Sequence, residues 1–303
     1  MKKAIVTGAS GFIGKQLVAE LLSRNIDVVC IDIHFDDVLL NNTKIVCINC
    51  KDKTPFDLID YLKDFQVDTF FHLAWGGTSG ELRADYNLQL DNVRTACDYV
   101  VLASEIKCKR FIYASSISEM ETYEYLQSDE PNPSGGYIYG TGKLAAHLMC
   151  ETVSKLNCIE FIPIIITNIY GAGENSARLI NSSIRKLLNG ERCSFTDGYQ
   201  VYDFIYITDA INSIVEVAER GKAFNRYYVG SGNPKPLREY LIEMRDVVAP
   251  GVELGLGDYS FNGIDIDYTQ FRLKKVEEDT GYKNKISFKD GIKKTMDFIQ
   301  AEL

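Results

Sequence analysis

The chain has 303 residues, of which 46% are hydrophobic and 25% are charged, and its formal net charge is −9. These are values of an ordinary globular protein that can form one large or two modest domains with a sizeable core. The acidic balance argues against nucleic acid as a partner, because binding to a phosphate backbone needs basic surface. It does not exclude an anionic small ligand, since a local pocket can oppose the overall sign.

The same sequence shows no sign of a membrane span or a metal site. The apolar run at 161–166 is far shorter than the roughly 20 residues that a bilayer requires. The N-terminal apolar stretch is interrupted by three glycines, which argues against a signal peptide. Of the eight scattered cysteines, only Cys47 and Cys50 are closely spaced, and one pair does not complete a zinc site. We therefore expect a cytoplasmic protein with reduced thiols, no membrane contact and no metal.

The first half of the chain alternates short apolar runs with helical patterns. Strands are predicted at 3–8, 27–33, 44–49, 67–75, 109–116 and 159–166, and helices at 12–24, 55–65, 85–104 and 137–155. Nearly continuous apolar strands separated by helices indicate a parallel sheet that is covered on both faces. The predicted fold class is therefore α/β, with a doubly wound parallel sheet.

After residue 170 the pattern becomes looser, with more glycine, proline and charge. The segment 204–210 is predicted to be a strand that returns to the main domain. We therefore expect a nucleotide-binding domain over 1–169, joined by 200–222. The segments 170–199 and 223–303 would form a smaller C-terminal α/β lobe that binds the substrate.

A glycine-rich turn lies between the first strand and the first helix. Gly8, Gly11 and Gly14 allow a tight turn, and they allow a pyrophosphate to approach the backbone at the positive end of the helix. Asp32 ends the second strand, where a carboxylate can accept hydrogen bonds from an adenosine ribose. Residues 32–37 supply three acids and neither Arg nor Lys, so a 2′-phosphate would be repelled. The residues therefore favour NAD over NADP.

Tyr139 and Lys143 lie four residues apart, which places them on one face of a helix. A tyrosine that acts near neutral pH needs a pKa about 3 units below its usual value, or about 4 kcal/mol. A lysine ammonium at about 4 Å and an effective dielectric constant of 20 supplies about 4 kcal/mol. The spacing is thus sufficient for acid–base chemistry.

Several further motifs occur in the same order as in one family. They are His72-Leu73-Ala74, Asn92-Val93 with Thr95, Ser115-Ser116, and Asn168, Tyr170, Gly171 and Gly173. With the glycine turn and the Tyr-x-x-x-Lys pair, the chain resembles an extended short-chain dehydrogenase/reductase of the NAD-dependent epimerase/dehydratase family. The resemblance covers nearly the whole chain, and it implies a Rossmann-type fold, an NAD cofactor, a nucleotide-sugar substrate and a homodimer formed through the helices at 85–104 and 137–155.

The resemblance also implies roles for individual residues. Ser116, Tyr139 and Lys143 would be catalytic. The cofactor would contact Gly8, Ser10, Gly11, Phe12, Ile13, Gly14, Asp32, Asn49, Cys50, Leu73, Ala74, Trp75, Asn92, Ala114, Tyr139, Lys143, Ile166 and Ile169. The substrate would contact Thr78, Ser116, Ile117, Ser118, Tyr139, Asn168, Arg178, Tyr202 and Arg272.

The type of reaction depends on the residues that follow Ser116. The 4,6-dehydratases of the family carry an Asp-Glu pair at the positions of Ile117 and Ser118, so this reaction is disfavoured. Glu119 and the segment 72–75 favour a 4-ketoreductase subgroup, whereas Asp32 favours an enzyme that uses NAD rather than NADPH. The resemblance implies a reaction at C4 of a hexose, and epimerisation and reduction both stay open.

The resemblance fails where the family carries two arginines that bind the substrate diphosphate. Tyr202 replaces one arginine, and the segment 261–265 lacks the other. Either arginines at other positions substitute, with Arg178, Arg185, Arg226 and Arg272 as candidates, or the substrate lacks a diphosphate. A non-catalytic NAD-binding protein is a further alternative, although such a protein would not need to keep Ser116, Tyr139 and Lys143.

Overall fold

The computed structural model describes residues 1–129 and 132–302. The first half forms an alternating α/β unit. Its strands are β1 (Lys3–Thr7), β2 (Asp27–Asp32), β3 (Ile45–Asn49), β4 (Thr69–His72), β5 (Arg110–Ser116), β6 (Glu160–Ile166) and β7 (Asn168–Tyr170). Its helices are α1 (Phe12–Ser23), α2 (Asp37–Leu40), α3 (Ile59–Leu62), α4 (Tyr86–Glu105), α5 (Ser118–Gln127) and α6 (Gly135–Leu156), with 3-10 turns at Pro55–Leu58 and Glu81–Ala84.

The second half adds shorter strands and more helices. The strands are β8 (Ser194–Phe195), β9 (Val201–Tyr202), β10 (Phe204–Tyr206), β11 (Tyr227–Val229), β12 (Lys235–Pro236) and β13 (Gly255–Leu256). The helices are α7 (Leu179–Leu188), α8 (Ile207–Arg220), α9 (Leu237–Val248), α10 (Lys275–Thr280) and α11 (Phe288–Glu302), with a 3-10 turn at Tyr268–Gln270.

The main sheet has seven parallel strands in the order β11-β6-β5-β4-β1-β2-β3. The chain winds outward from β1 in one direction through β2 and β3, and then from β4 in the other direction. The strand order therefore reverses between β1 and β4, which is the point where ligands bind in doubly wound sheets. The predicted fold class, a Rossmann-type α/β fold, is confirmed.

Two apolar cores cover the faces of this sheet. One lies under α1 and α8 and includes Leu17, Leu21, Ile211 and Ile214. The other lies under α4 and α6 and includes residues such as Val100, which is fully buried. Because both faces are covered, the central residues of the strands between them are continuously apolar.

The segment 204–210, predicted to be a strand, divides into two elements. Strand β10 ends at Tyr206 and pairs in parallel with β7, and α8 begins at Ile207. From there the buried side chains follow helical spacing, with Ile207, Ile211 and Ile214 against the sheet. Helix α8 packs on α1, so this segment lies beside the nucleotide-binding unit.

The division into two domains stays a prediction. Strand β11 belongs to the main sheet although it lies within 223–303, because Tyr227–Val229 pairs in parallel with β6. The other short strands of the second half form two-stranded pairs outside that sheet, as in β13 with β8 and β12 with β9.

Candidate active site

The glycine turn brings the backbone of β1 and α1 close to neighbouring segments. Gly8 has a φ of +69°, and a Cβ atom there would lie 2.8 Å from the backbone nitrogen of Ala74. A Cβ atom on Gly14 would overlap the carbonyl oxygen of Gly8. The amide of Gly11 donates to that same carbonyl at 3.1 Å. The turn is therefore a backbone cradle of the kind that receives a pyrophosphate at the start of α1.

Asp32 closes the cradle at the end of β2. Its carboxylate accepts hydrogen bonds from the amides of Ser10 at 2.8 Å and Ile33 at 2.7 Å. A carboxylate held in this way still has lone pairs for a ribose diol. The nearby cation of Lys15 is paired with Asp36 at 2.6 Å. The acidic rim therefore fits NAD better than a cofactor with a 2′-phosphate.

A cleft of about 1000 Å³ runs from this cradle across the switch point. Its walls bring most of the predicted cofactor residues together. They are Gly8, Ser10, Gly11, Phe12, Ile13, Gly14, Asp32, Cys50, Leu73, Ala74, Trp75, Asn92, Ala114, Tyr139, Lys143 and Ile166. Of the predicted substrate residues, Thr78, Ser116 and Arg178 also line it. Two predicted cofactor residues lie outside its walls: Asn49 donates to the carbonyl of Ile33 at 3.2 Å, and Ile169 lines a neighbouring cavity.

Tyr139 lies at the inner end of the cleft, on the first turns of α6. The side chain is 8% exposed, and burial raises the pKa of its phenol above the usual value. The hydroxyl of Ser116 and the positive charges of Arg83 and Arg178 act on this pKa in the opposite direction. The phenol is thus a buried acid–base group whose proton affinity depends on its immediate neighbours.

Lys143 follows one turn later and points under the cleft. Its ammonium donates to the carbonyl oxygen of Ala114 at 2.8 Å and lies 3.7 Å from the ring centre of Trp75. The indole is itself held by the side chain of Gln89 through a 2.8 Å hydrogen bond. Burial lowers the pKa of Lys143 to about 7, although the carboxylate of Glu119 acts to raise it.

Glu119 forms a buried polar group beneath the catalytic candidates. Its carboxylate accepts a hydrogen bond from Ser115 and lies 2.7 Å from Nδ1 of His147. The three side chains are at most 6% exposed. The sequence marked Glu119 only as a subgroup feature. The contact between Glu119 and His147 follows from the packing of α5 on α6, which no motif encodes.

Arg83 is the residue near Tyr139 that sequence reasoning missed. It lies in the 3-10 turn Glu81–Ala84, and its guanidinium carbon stands 4.6 Å from the ring centre of Tyr139. Its Nη2 is 3.4 Å from the hydroxyl of Ser118. No spacing motif links positions 83 and 139, so the sequence alone gave no signal for this contact.

A second cavity of about 440 Å³ adjoins the cleft. Arg178 lines both spaces, and Asn168, Ile169 and Tyr202 line the second one. Further aromatic rings of this cavity belong to Phe195, Phe204, Tyr259 and Phe261. Arg178 therefore stands where a group would pass from the cleft into an aromatic-lined pocket.

The other predicted substrate residues are placed differently. Ile117 lines a small cavity of about 130 Å³ beside Glu121 and Tyr202. Ser118 is buried at the start of α5, where its carbonyl accepts a hydrogen bond from Thr122. Arg272 is exposed and forms an ion pair with Glu278 at 2.5 Å, away from these cavities.

Two negative findings apply to residues 1–129 and 132–302. No helix in this part of the chain is long and apolar enough to cross a membrane. Nor do three or more His, Cys, Asp or Glu side chains come together there in a way that could hold a metal ion.

The glycine cradle, the terminal acid of β2 and the buried tyrosine and lysine define an enzyme of the extended short-chain dehydrogenase/reductase class. The sequence profile of the NAD dependent epimerase/dehydratase family matches residues 4–230. The chain belongs to this family, so the predicted family, enzyme class and NAD cofactor are confirmed.

Individual relatives are distant but cover the chain. It is 26% identical to the CDP-abequose synthase of Salmonella typhimurium over 96% of both chains. It is 28% identical to the ADP-L-glycero-D-manno-heptose-6-epimerase of Brachyspira hyodysenteriae, over 98% of this chain and 97% of that one.

Solved structures show the same fold. A UDP-glucuronic acid 4-epimerase mutant from Bacillus cereus, solved with NAD and a fluorinated substrate analogue, superposes with a TM-score of 0.80 at 22% identity. The alignment covers 99% of this chain and 100% of that one. The UDP-N-acetylglucosamine 4-epimerase of the same species gives 0.79 at 20% identity, covering 100% and 98%.

Proposed function

We propose that this enzyme transfers a hydride between NAD and a hexose linked to a nucleoside diphosphate, at C4 of the sugar. The observation that carries the proposal is the convergence of Ser116, Tyr139 and Lys143 at the inner end of the NAD cleft. The net reaction would be 4-epimerisation or reduction of a 4-ketosugar. The names of the solved 4-epimerases support the position on the sugar.

In this proposal each of the three residues has a separate task. Bound NAD supplies the chemistry of hydride acceptance and donation. Tyr139 accepts the proton of the sugar hydroxyl when C4 is oxidised, and it donates a proton to the ketone oxygen when C4 is reduced. Ser116 hydrogen-bonds the same sugar oxygen. Lys143 fixes the floor of the cleft through Ala114 and Trp75, and it would also hold the nicotinamide ribose.

The side chains that line the neighbouring space suit a nucleoside diphosphate. The second cavity is lined by aromatic rings, which can pack against a base, and Arg178 stands at its junction with the cleft. We propose that Arg178 binds the diphosphate in place of the arginine that Tyr202 replaces, because a guanidinium can hold two phosphate oxygens at once. Arg185 is less suited, since it is paired with Glu302 at 2.8 Å.

The function is tested first by the nucleotide that copurifies with the protein and by turnover of UDP-, CDP- and dTDP-hexoses. We expect NAD rather than NADP on acid denaturation, or preferential binding of NAD(H) when the protein is empty. Retained NAD favours epimerisation, which must recycle its cofactor, and exchangeable NADH favours reduction. Preference for NADPH would contradict the role given to Asp32.

The catalytic step is tested by Tyr139→Phe. Removal of a general acid–base group should lower kcat by about a hundred- to ten-thousandfold. Tyr123→Phe is the matched control, because Tyr123 is exposed on the neighbouring helix α5, and its turnover should stay within about twofold of the wild type. Full turnover by Tyr139→Phe would contradict the proposed mechanism and favour a protein that only binds NAD.

We also propose that two copies of the chain associate through α4 and α6. These helices lie side by side and expose Tyr86, Leu90 and Met149, each more than half accessible. The cavity between them, about 730 Å³, is lined mainly by apolar groups such as Val93 and Ile138. The same pair of helices from a second copy would cover this surface and form a four-helix bundle with twofold symmetry.

A further inference from the structure

The three candidate catalytic residues come from two different elements. Ser116 ends β5, whereas Tyr139 and Lys143 lie one turn apart on α6. Their relative placement therefore depends on the contacts that hold the end of β5 against α6. A misplacement of about 1 Å can lower the rate of a reaction about a hundredfold, so a contact that fixes this placement affects catalysis as well as stability.

Glu119 forms a side-chain link between these two elements. Its carboxylate accepts a hydrogen bond from Ser115, which directly precedes Ser116 on β5. The other carboxylate oxygen lies 2.7 Å from Nδ1 of His147, which follows Lys143 by one turn on α6. Each end of this Glu119 link thus lies beside a candidate catalytic residue. The three linked side chains are buried, so water has little access to replace either contact.

The helix that carries Glu119 also packs closely on α6. Gly140 directly follows Tyr139, and a Cβ atom there would lie 2.5 Å from the carbonyl oxygen of Ser118 at the start of α5. The amide of Ser118 donates to the hydroxyl oxygen of Ser116 at 3.2 Å. Helix α5 is therefore in contact with both candidate catalytic elements, and Glu119 lies in its first turn.

Other hydrogen bonds between β5 and α6 end at Lys143. Its ammonium donates to the carbonyl of Ala114, and its own carbonyl accepts a hydrogen bond from the hydroxyl of Tyr113 at 3.2 Å. These contacts hold one turn of α6. The Glu119 link holds the next turn, so the two sets of contacts together fix the direction of the helix as well as its distance from β5.

We propose that Glu119 is a positioning residue, which holds Ser116 at the distance from Tyr139 that proton transfer at the sugar oxygen requires. It acts through Ser115 and His147. The inference rests on the proposed function, because that function gives Ser116 and Tyr139 one sugar oxygen to contact in common. Breaking either end of the Glu119 link should lower turnover even though the carboxylate of Glu119 stays in the chain.

The test is steady-state kinetics of the full chain with NAD(H) and the UDP-, CDP- or dTDP-hexose that it turns over, below the unfolding temperature of each variant. Ser115→Ala and His147→Leu each remove one end of the link. In each we expect kcat to fall about ten- to a hundredfold, with KM for cofactor and sugar within about threefold of the wild type. The double variant should lose little more, because one break already separates the two elements.

Conservative variants separate positioning from general destabilisation. Ser115→Thr keeps the hydroxyl and His147→Asn keeps an N–H donor near the position of Nδ1, so both should retain most of the wild-type kcat. Ser154→Ala is the matched control, because Ser154 is a fully buried serine further along α6, and its kcat should stay within about twofold of the wild type. Since the link has two ends, His147→Leu decides the matter if Ser115→Ala does not fold, and the reverse.

The proposal is overturned if Ser115→Ala or His147→Leu folds and keeps the wild-type kcat, or if the losses of the two variants multiply in the double variant. A higher KM with an unchanged kcat would likewise overturn it, by showing that the link shapes binding rather than the placement of the reacting groups.

Hydrogen exchange in the absence of sugar separates this inference from the proposed function. If the wild type turns over no nucleotide sugar, the proposed function fails, but the link can still be tested. Ser115→Ala should then speed amide exchange at the end of β5 and in the first turns of α6, relative to Ser154→Ala. Equal exchange of these segments in the two variants would overturn the inference.

Discussion

Replacing Glu119 by alanine removes a carboxylate that two other buried side chains contact. Ser115 donates to one of its oxygens, and Nδ1 of His147 lies 2.7 Å from the other. These side chains are 2–6% exposed, so water has little access to take the place of the carboxylate. Leaving a buried hydrogen-bonding group without its partner costs about 1–3 kcal/mol, and two groups lose a partner here, against the roughly 5–15 kcal/mol that stabilises a domain.

Urea denaturation at pH 7.5, followed by circular dichroism, measures this loss as a change in the unfolding free energy. Glu124→Ala is the matched control on the same helix, because the carboxylate of Glu124 lies at the surface and bonds only to Gln270 among the described residues. We expect the control to stay within about 0.5 kcal/mol of the wild type. A loss below about 1 kcal/mol in Glu119→Ala would refute the reasoning, since it would show that the buried groups find other partners.

The same variant should show a defined pH dependence through Lys143. Burial lowers the pKa of Lys143 to about 7 in the folded chain, and Glu119 raises it from a still lower value. The wild type therefore binds more protons than Glu119→Ala just below pH 7, and the attraction between the two side chains is lost as the pH rises through about 7. The destabilisation should consequently be greater at pH 6 than at pH 9, and this excess should shrink in a Lys143→Met background.

Two other predictions concern the substrate and the second copy. Arg178→Ala should raise the KM for the nucleotide sugar about ten- to a hundredfold, because a hydrogen bond to a charged group contributes about 1.5–3 kcal/mol. Arg272→Ala breaks only an exposed ion pair and should change KM less than threefold. A larger effect of Arg272→Ala in steady-state kinetics would contradict the assignment of the diphosphate site to Arg178. Leu90→Glu should convert a dimer to a monomer in analytical ultracentrifugation. Leu40→Glu, which changes a similarly exposed leucine on α2, should leave the dimer intact. A wild-type protein that is already monomeric would contradict the proposed interface.

Much of the fold follows directly from the sequence, because its strongest signals are local. The runs at 27–33, 109–116 and 159–166 are buried on both faces through their central residues, so the middle of each is continuously apolar and easily recognised as a strand. Helix α5 was not predicted, since its ten residues carry mixed polar and apolar groups without a clear stripe. The prediction of a strand over 204–210 was wrong after Tyr206, because a short run of β-branched residues is compatible with both a strand and a buried helix.

The candidate site was predictable to the extent that its residues belong to motifs. The glycine turn and the Tyr-x-x-x-Lys pair are read from spacing, and the structure places both on the same cleft. Arg83, the contact between Glu119 and His147, and the double position of Arg178 depend on tertiary packing. Glu119 and His147 are 28 residues apart, Arg83 and Tyr139 are 56 residues apart, and Arg178 lines two separate cavities. No local sequence pattern reports contacts over such separations.

The acidity of Tyr139 depends on solvation, which residue spacing does not report. A spacing of four residues on a helix places Lys143 on the same face as Tyr139 and at a favourable distance from it. The spacing does not show how far water reaches the ammonium of Lys143. The burial that brings the ammonium under the cleft also lowers its pKa to about 7, so its charge declines in the range where a phenolate would need it. A guanidinium keeps its charge through that range. Arg83 stands on the ring of Tyr139, and its positive charge acts to lower the pKa of the phenol. The contact between Arg83 and Tyr139 comes from the 3-10 turn before α4, so the spacing of residues on α6 could not predict it.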